Sequence, residues 1–270
     1  MDTIELGTWE EFESAIEQLM VERKAKKRGE VWSNLLFRGQ SDSEWGLTTT
    51  LERYVKGDFP LTKYYWIISV LTHEIETFTG IKWPLPKDAA FVDWVADAKK
   101  YFDISGNIPE YEYMAYLRHH GFPSPLLDWT RSPFIAAFFA FNSFPLKTEK
   151  VSIFVYQEYV SKGKVHRINE PYIAGLGPHI TSHKRHFLQK TEYTICVIHE
   201  DKDIFYTGHE RVFSVGEEHQ DKLIKYILPT SEGKKILKLF DKYNLNEFSL
   251  FGTEDSLMSS LSMREFYLDI

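Results

Sequence analysis

Arg38 is the first residue in this chain whose type and place could do chemistry. It follows Asn34-Leu35-Leu36-Phe37, which reads as a short strand running into Arg38-Gly39-Gln40. A guanidinium is always charged and offers a planar fork of donors, which suits two-point recognition of phosphate or carboxylate. Gly39, without a Cβ, lets a second backbone or a ligand come close. The plainer alternative is a strand-end arginine paired with a nearby acid. The second such place is Asp128-Trp129-Thr130, where two hydrogen-bonding residues flank an indole just before a wholly apolar stretch. Polar groups at a buried strand end must find partners, and a rigid strand holds them in register for a site. Equally, Asp128 and Thr130 could cap the following helix while Trp129 fills the core. The segment His183–Tyr193 is locally basic and then delivers Gln189 and Glu192 into a strand, where either could orient a sugar hydroxyl. The alternative for that segment is a solvated turn carrying ordinary charges.

Other chemistries find less support. His119 and His120 sit at a helix C-terminus, where the dipole favours a protonated imidazole. The ten histidines are otherwise dispersed, and Cys196 is the single cysteine, so neither a zinc site nor an internal disulfide is expected. The Gly-x-Ser-x-Gly elbow, the P-loop and the dinucleotide glycine fingerprint are all absent, and Gly175-Leu176-Gly177 is only a fragment of the last.

The elements that must position these residues follow from pattern. Thr8 and Glu11 form a capping-box pair ahead of Trp9, Phe12, Ile16 and Leu19 at helical spacing, predicting a helix over 8–27. A short strand ends at Arg38. Helices are expected over 61–79, 87–102 and Glu110–His120, the last stopping at Gly121. Together they make a helical lobe at about 61–120 inserted in the core. Leu126–Thr130 reads as a buried strand, then Ser132 as an N-cap with Pro133 at the first helical position. The helix behind it, Phe134–Phe141, is apolar on every side and must be buried. Strands are expected over Val151–Gln157, Tyr193–Ile198 and Leu223–Leu228, a helix over Ser231–Tyr243, a loop over Asn244–Thr253 and a final helical segment. Early helices, late strands and long connections point to an α+β fold with a split mixed or antiparallel sheet, in one domain spanning 1–270.

Composition bounds the function. With 43% hydrophobic residues among 270, the chain can bury a core, so wholesale disorder is excluded. The 32 basic and 39 acidic side chains leave a net charge of −7, hence no global field toward nucleic acid or anionic lipid. Local basic patches at Arg23–Arg28 and Lys184–Arg185 remain candidate partner surfaces. The longest apolar run, Pro133–Phe141, is about half the 18 to 20 residues a membrane span needs. The first residues are acidic, without a signal-peptide pattern. A soluble, cytoplasmic protein is the expectation.

Several blocks in order resemble the FRG domain, a bacterial family named for its Phe-Arg-Gly motif. They are Phe37-Arg38-Gly39, the stretch Leu117–Thr130, Ser132-Pro133 and the alanine–phenylalanine run to Ala140. Arg185 to Gln189, Tyr243–Phe251 and Ser256-Leu257-Met258 complete the set. The block order further resembles the ADP-ribosyltransferase fold, in which NAD lies in a cleft of a split sheet. That resemblance implies catalytic roles for Arg38, Asp128, Thr130, Gln189 and Glu192. It implies NAD contacts for Arg38, Gly39, Gln40, His120, Trp129 and Thr130, with NAD as substrate and no metal. Arg38 would meet the pyrophosphate or ribose, Asp128 and Thr130 would fix the nicotinamide ribose, and Trp129 would wall the pocket from water. Glu192 would stabilise an oxocarbenium-like cation; with only Gln189 in reach, a full charge would be missing. A toxin or phage-defence effector, with a protein or nucleic-acid acceptor and an antitoxin or regulatory partner, is the implied setting. The alternative is a non-catalytic module whose Arg38 pocket recognises an anionic ligand or partner.

Overall fold

Strand register decides which side chains can share a site, because successive residues point to opposite faces. The computed structural model describes residues 1–85, 93, 108–143, 148–177, 179–180, 184–200, 203–213 and 219–268. Nine described strands form one mixed sheet: β1 (Asp2–Glu5), β2 (Leu35–Gln40), β3 (Phe59–Pro60), β4 (Leu127–Thr130), β5 (Lys150–Tyr159), β6 (Tyr172–Gly177), β7 (Thr191–Glu200), β8 (Asp203–Tyr206) and β9 (Gln220–Pro229). The spatial order is β1-β9-β5-β2-β4-β7-β8-β3, with β6 also paired to β7. Only β1 and β9 run parallel among these pairs. Helices and strands are segregated as an α+β fold requires.

One joint in this sheet is weak. β2 pairs with β5 along its whole length, from Leu35 opposite Gln157 to Gln40 opposite Ser152. With β4 it shares a single register pair, Phe37 opposite Thr130. The sheet therefore splits beside Arg38.

Helices cover one face on either side of that split. On the β2/β5/β9 side pack α1 (Trp9–Lys24), then α5 (Pro133–Phe141) and α8 (Gly233–Lys242), around Phe12, Phe37, Phe138, Ile153 and Phe240. On the β6/β7/β8 side pack α3 (Leu61–Thr79) and α4 (Tyr111–His119), around Tyr64, Ile68, Tyr113, Ile195 and Tyr206. A third cluster, with Leu36, Leu127, Trp129, Phe154, Tyr156 and Cys196, fills the reverse face.

The local signals behave as their chemistry dictates. Ser132 caps α5, accepting from the Ile135 amide, with Pro133 at the first position. Thr8 accepts from the Glu11 amide, while Glu11 turns back to the Gly7 amide rather than to Thr8 itself. That helix stops at Lys24, short of the expected 27. Gly80 ends α3 with φ 72°, a left-handed turn that favours glycine. Four further short helices are α2 (Thr50–Tyr54), α6 (Lys184–Leu188), α7 (Glu210–Phe213) and α9 (Glu247–Phe251); α10 is Glu254–Met263. α9 overturns the expected loop over 244–253: Asn246 and Ser249 cap each other's backbones, a reciprocal pair that stabilises a single turn. The expected helix over 87–102 lies outside the described residues, Asp93 apart. No described helix is long and apolar enough to cross a membrane.

Gly39 explains the third residue of the Phe-Arg-Gly run. A Cβ there would stand 1.8 Å from the Ala136 carbonyl oxygen and 2.8 Å from the Ala140 nitrogen, both backbone atoms of α5. The helix thus lies directly on β2. Gly39→Ala is expected to lower the unfolding free energy by about 3 kcal/mol, seen as a lower denaturant midpoint at unchanged slope. A change below ~1 kcal/mol would show that α5 does not press on β2.

Candidate functional site: an arginine-lined cleft at the split sheet

Alternation builds the floor of the cleft. Phe37, Thr130 and Thr191 lie in one cross-strand row, and Asp128 with Tyr193 in the next, all on the helix-covered face. One wall comes from α5 through Ala136 and Phe139, the other from α4 through Arg118 and His119. Between them opens a cleft of about 450 Å³, within the size range of small-molecule sites, roughly 300–1,000 Å³.

Arg38 leaves β2 beside the gap, where the ladder to β4 is missing, and its guanidinium supplies the link. Nη1 donates to the Asp128 carbonyl oxygen at 2.8 Å and to Asp128 Oδ1 at 2.7 Å. Arg118 Nη2 donates to the same Oδ1, while its Nη1 donates to Thr50 Oγ1 at 3.2 Å. Thr50 Oγ1 also accepts from the Ser124 amide at 2.9 Å, which anchors the Phe122–Pro125 turn to α2. Both guanidiniums are largely buried, at 15% and 13% side-chain exposure. Burial would raise the Asp128 pKa, but Arg118 and then Arg38 outweigh it and hold the carboxyl well below the usual carboxylate range. Asp128 itself is 44% exposed. Its Oδ2 has no partner among the described residues, so an ionised oxygen faces the cleft.

Two more cations, Arg53 on α2 and Arg185 on α6, also line the cleft. Arg185 lies over the Phe251 ring at 5.1 Å, a cation–π contact. Four arginines and one aspartate thus share the described lining, two of the four in contact with that aspartate. Tyr193 and His119 share a hydrogen bond of 2.9 Å on the α4 side, and burial pushes the Tyr193 hydroxyl far above its ordinary range.

The sequence-expected residues divide by face. Arg38, Gly39, Gln40, Asp128, Trp129, Thr130 and Gln189 border the cleft. Thr130 is spent on structure, donating to the Gln189 carbonyl at 2.7 Å and accepting from the Ser132 amide at 3.1 Å. Asp128 does not cap α5; Ser132 does. The Gln189 side chain donates to the Leu250 carbonyl at 3.2 Å. Gln40 Nε2 donates to the Gly46 carbonyl at 2.9 Å. Trp129 does not wall the cleft with its indole, which stacks on Tyr156 in the reverse-face core and donates to Thr194 Oγ1 at 2.8 Å. Glu192 stands directly opposite Trp129 in register and so shares its reverse face. There it pairs with Arg131 at 3.3 Å, and burial raises its pKa. His120 caps α4 against Tyr116 and is not among the lining residues. The sequence reading gave no role to Arg118, Tyr193 or Arg53, and marked His119 only as a helix-terminal imidazole. Arg118 carried a signal too, as a last-turn cation ten residues before Asp128.

This fold and site define an α+β protein with a cationic cleft where its sheet divides. Residues 33–149 match the family model of the FRG domain. The match takes in β2, α4, β4 and α5, hence Arg38, Arg118 and Asp128, and ends before Gln189. No curated protein and no solved structure matches the chain.

The reverse face carries a buried relay that sets the acid response. The Trp129 indole can only donate, so the Thr194 hydroxyl proton is left for His209 Nε2, 2.9 Å away. Burial, with the Arg38 charge adding to it, pushes His209 from 6.5 down to about 3. The unfolded chain therefore takes up a proton between those values that the folded chain refuses, and stability falls as pH drops through that window. Asp128, held ionised, stabilises above about pH 4 and loses that contribution at lower pH. Between about pH 7 and about pH 5, urea unfolding is expected to show wild type losing about 2 kcal/mol more than His209→Gln. Equal losses would mean that His209 protonates freely in the folded chain.

Proposed function

We propose that the cleft binds NAD as a substrate and that the protein is an ADP-ribosyltransferase-like enzyme. The observation that carries this reading is a cleft lined by four guanidiniums, two of which clamp one carboxylate that keeps an open oxygen. Arg185, Arg53 and the unspent donors of Arg38 suit the two negative phosphates of a pyrophosphate. Asp128 Oδ2 is the group placed to face positive charge developing at the ribose C1′. In the transfer, the C1′–N bond to nicotinamide breaks and its electron pair leaves with neutral nicotinamide. The acceptor atom then bonds to C1′ and gives up its proton to solvent. Trp129 and Glu192 have no part in this scheme, because both belong to the reverse face.

A second reading, a module that recognises an anionic ligand without turnover, is favoured by one observation. Glu192, the glutamate the resemblance assigned to catalysis, is paired with Arg131 away from the cleft. The two readings separate in one assay. With labelled NAD and cell extract, wild type is expected to release nicotinamide and label an acceptor, and Asp128→Asn to be slower by about 100-fold or more. Arg185→Ala should weaken the NAD-induced rise in melting temperature, its binding falling by about tenfold or more. A melting shift without nicotinamide release would establish the module; no shift and no release would end both NAD readings.

A further inference from the structure

Among the described lining residues, Trp45 is the one aromatic side chain left exposed, at 53%. Trp9 and Trp129, by contrast, are buried in the core. The Trp45 indole has no aromatic, cationic or hydrogen-bonding partner among the described residues. The segment that carries it is nonetheless held at several points. The Ser43 amide donates to the Lys150 carbonyl at 3.0 Å, and the Trp45 amide donates to the Asp42 carbonyl at 3.3 Å, closing a turn. Thr148 Oγ1 donates to the Ser41 carbonyl at 2.8 Å, and Lys225 Nζ donates to the Ser43 carbonyl. Gln40 Nε2 holds the Gly46 carbonyl, and the amide of buried Leu47 donates to Glu210 Oε1 at 2.9 Å. Exposure on a loose loop would mean little; on a backbone tied down this way the ring is a preorganised surface. A flat ring so placed finds its best partner in another aromatic ring.

Building on the NAD reading, we infer that Trp45 is the platform on which the adenine ring stacks, and so the residue that selects a dinucleotide over a mononucleotide. NAD carries two rings, and position decides between them. Asp128 is clamped on Arg38, within β2, and its open oxygen faces the nicotinamide ribose C1′. The nicotinamide ring is one bond from that carbon and must lie against Asp128. Trp45 lies past the end of β2, beyond Gln40. A ring stacked there is set apart from the reacting carbon, as adenine is by two riboses and the pyrophosphate. Stacking reads a π-face, which every base has. The platform is therefore strict about the presence of a second base and tolerant of its identity.

The test titrates the full chain calorimetrically with NAD, ADP-ribose and nicotinamide mononucleotide. Trp45→Ala should weaken NAD and ADP-ribose by about tenfold or more, and Trp45→Phe, which keeps a ring, by less than about threefold. Nicotinamide mononucleotide lacks the second base and should bind wild type and both variants alike. Replacing adenine by hypoxanthine in the dinucleotide should change the affinity for wild type by less than about threefold. Unchanged NAD affinity in Trp45→Ala would overturn the inference. So would an equal loss for nicotinamide mononucleotide, or a loss of about tenfold or more with the hypoxanthine dinucleotide, which would mean that hydrogen bonds to the base edge, not stacking, hold it. In each of these cases NAD binding by wild type would leave the cleft reading standing. No NAD binding by wild type would remove that reading and this inference together.

Discussion

Two guanidiniums share one carboxylate oxygen at the place where the sheet comes apart, and the shape of the cleft depends on that arrangement. β2 and β4 meet at Phe37 and Thr130 and then lack further pairing, which leaves the Asp128 carbonyl without a ladder partner. An unpaired backbone carbonyl in a protein interior is costly. Arg38 meets that need and ties in the carboxylate with the same nitrogen, while Arg118 approaches from α4. Removing either guanidinium would leave the Asp128 carboxylate with half its compensation, and removing Asp128 would leave two largely buried cations without their shared counter-charge. The opening is thus held at a fixed width by charge rather than by strand pairing.

The Phe-Arg-Gly run divides its work by face. Phe37 is buried in the cluster under α5, and Gly39, two residues on and on the same face, lets the α5 backbone rest on the strand. Arg38 has the opposite parity and is the residue free to reach across the gap. A one-residue slip would exchange these roles and send the guanidinium into the helix. Three consecutive residues therefore specify helix position, cleft edge and core together, which no other order of the three would do.

Much of the architecture was legible because its causes are local. The apolar stretch after Ser132-Pro133, the helix ending at Gly80 and the strand that carries Arg38 all follow from caps, turn residues and periodicity, although that strand runs on to Gln40 instead of ending at Arg38. Short elements such as β3, β8 and α9 carry too few residues for a period to show, and α9 rests on an Asn–Ser cap rather than the commoner acidic one. The site was legible in its members but not in its pairing. Asp128 and Trp129 are adjacent in sequence and opposite in facing, so choosing both for one pocket ignored alternation. Placing Glu192 needed the register of β7 against β4, a long-range fact: it lies opposite Trp129 and not Asp128. Arg118 escaped notice for a related reason, since its role exists only once α4 and β4 are side by side.

The distribution of charge also separates what is rigid from what can adapt. Arg38 and Arg118 are buried and hydrogen-bonded at the strand split, so the position of the open Asp128 oxygen is set before any ligand arrives. Such preorganisation is where an electrostatic site gains most, because no dipole has to turn when charge appears. Arg53 and Arg185 come instead from single short helices at the edge, one exposed and one resting on Phe251. Long side chains on short elements can follow phosphates of differing spacing at modest entropic cost. A cleft built this way is strict about where it places one negative oxygen and tolerant about the polyanion that enters over it.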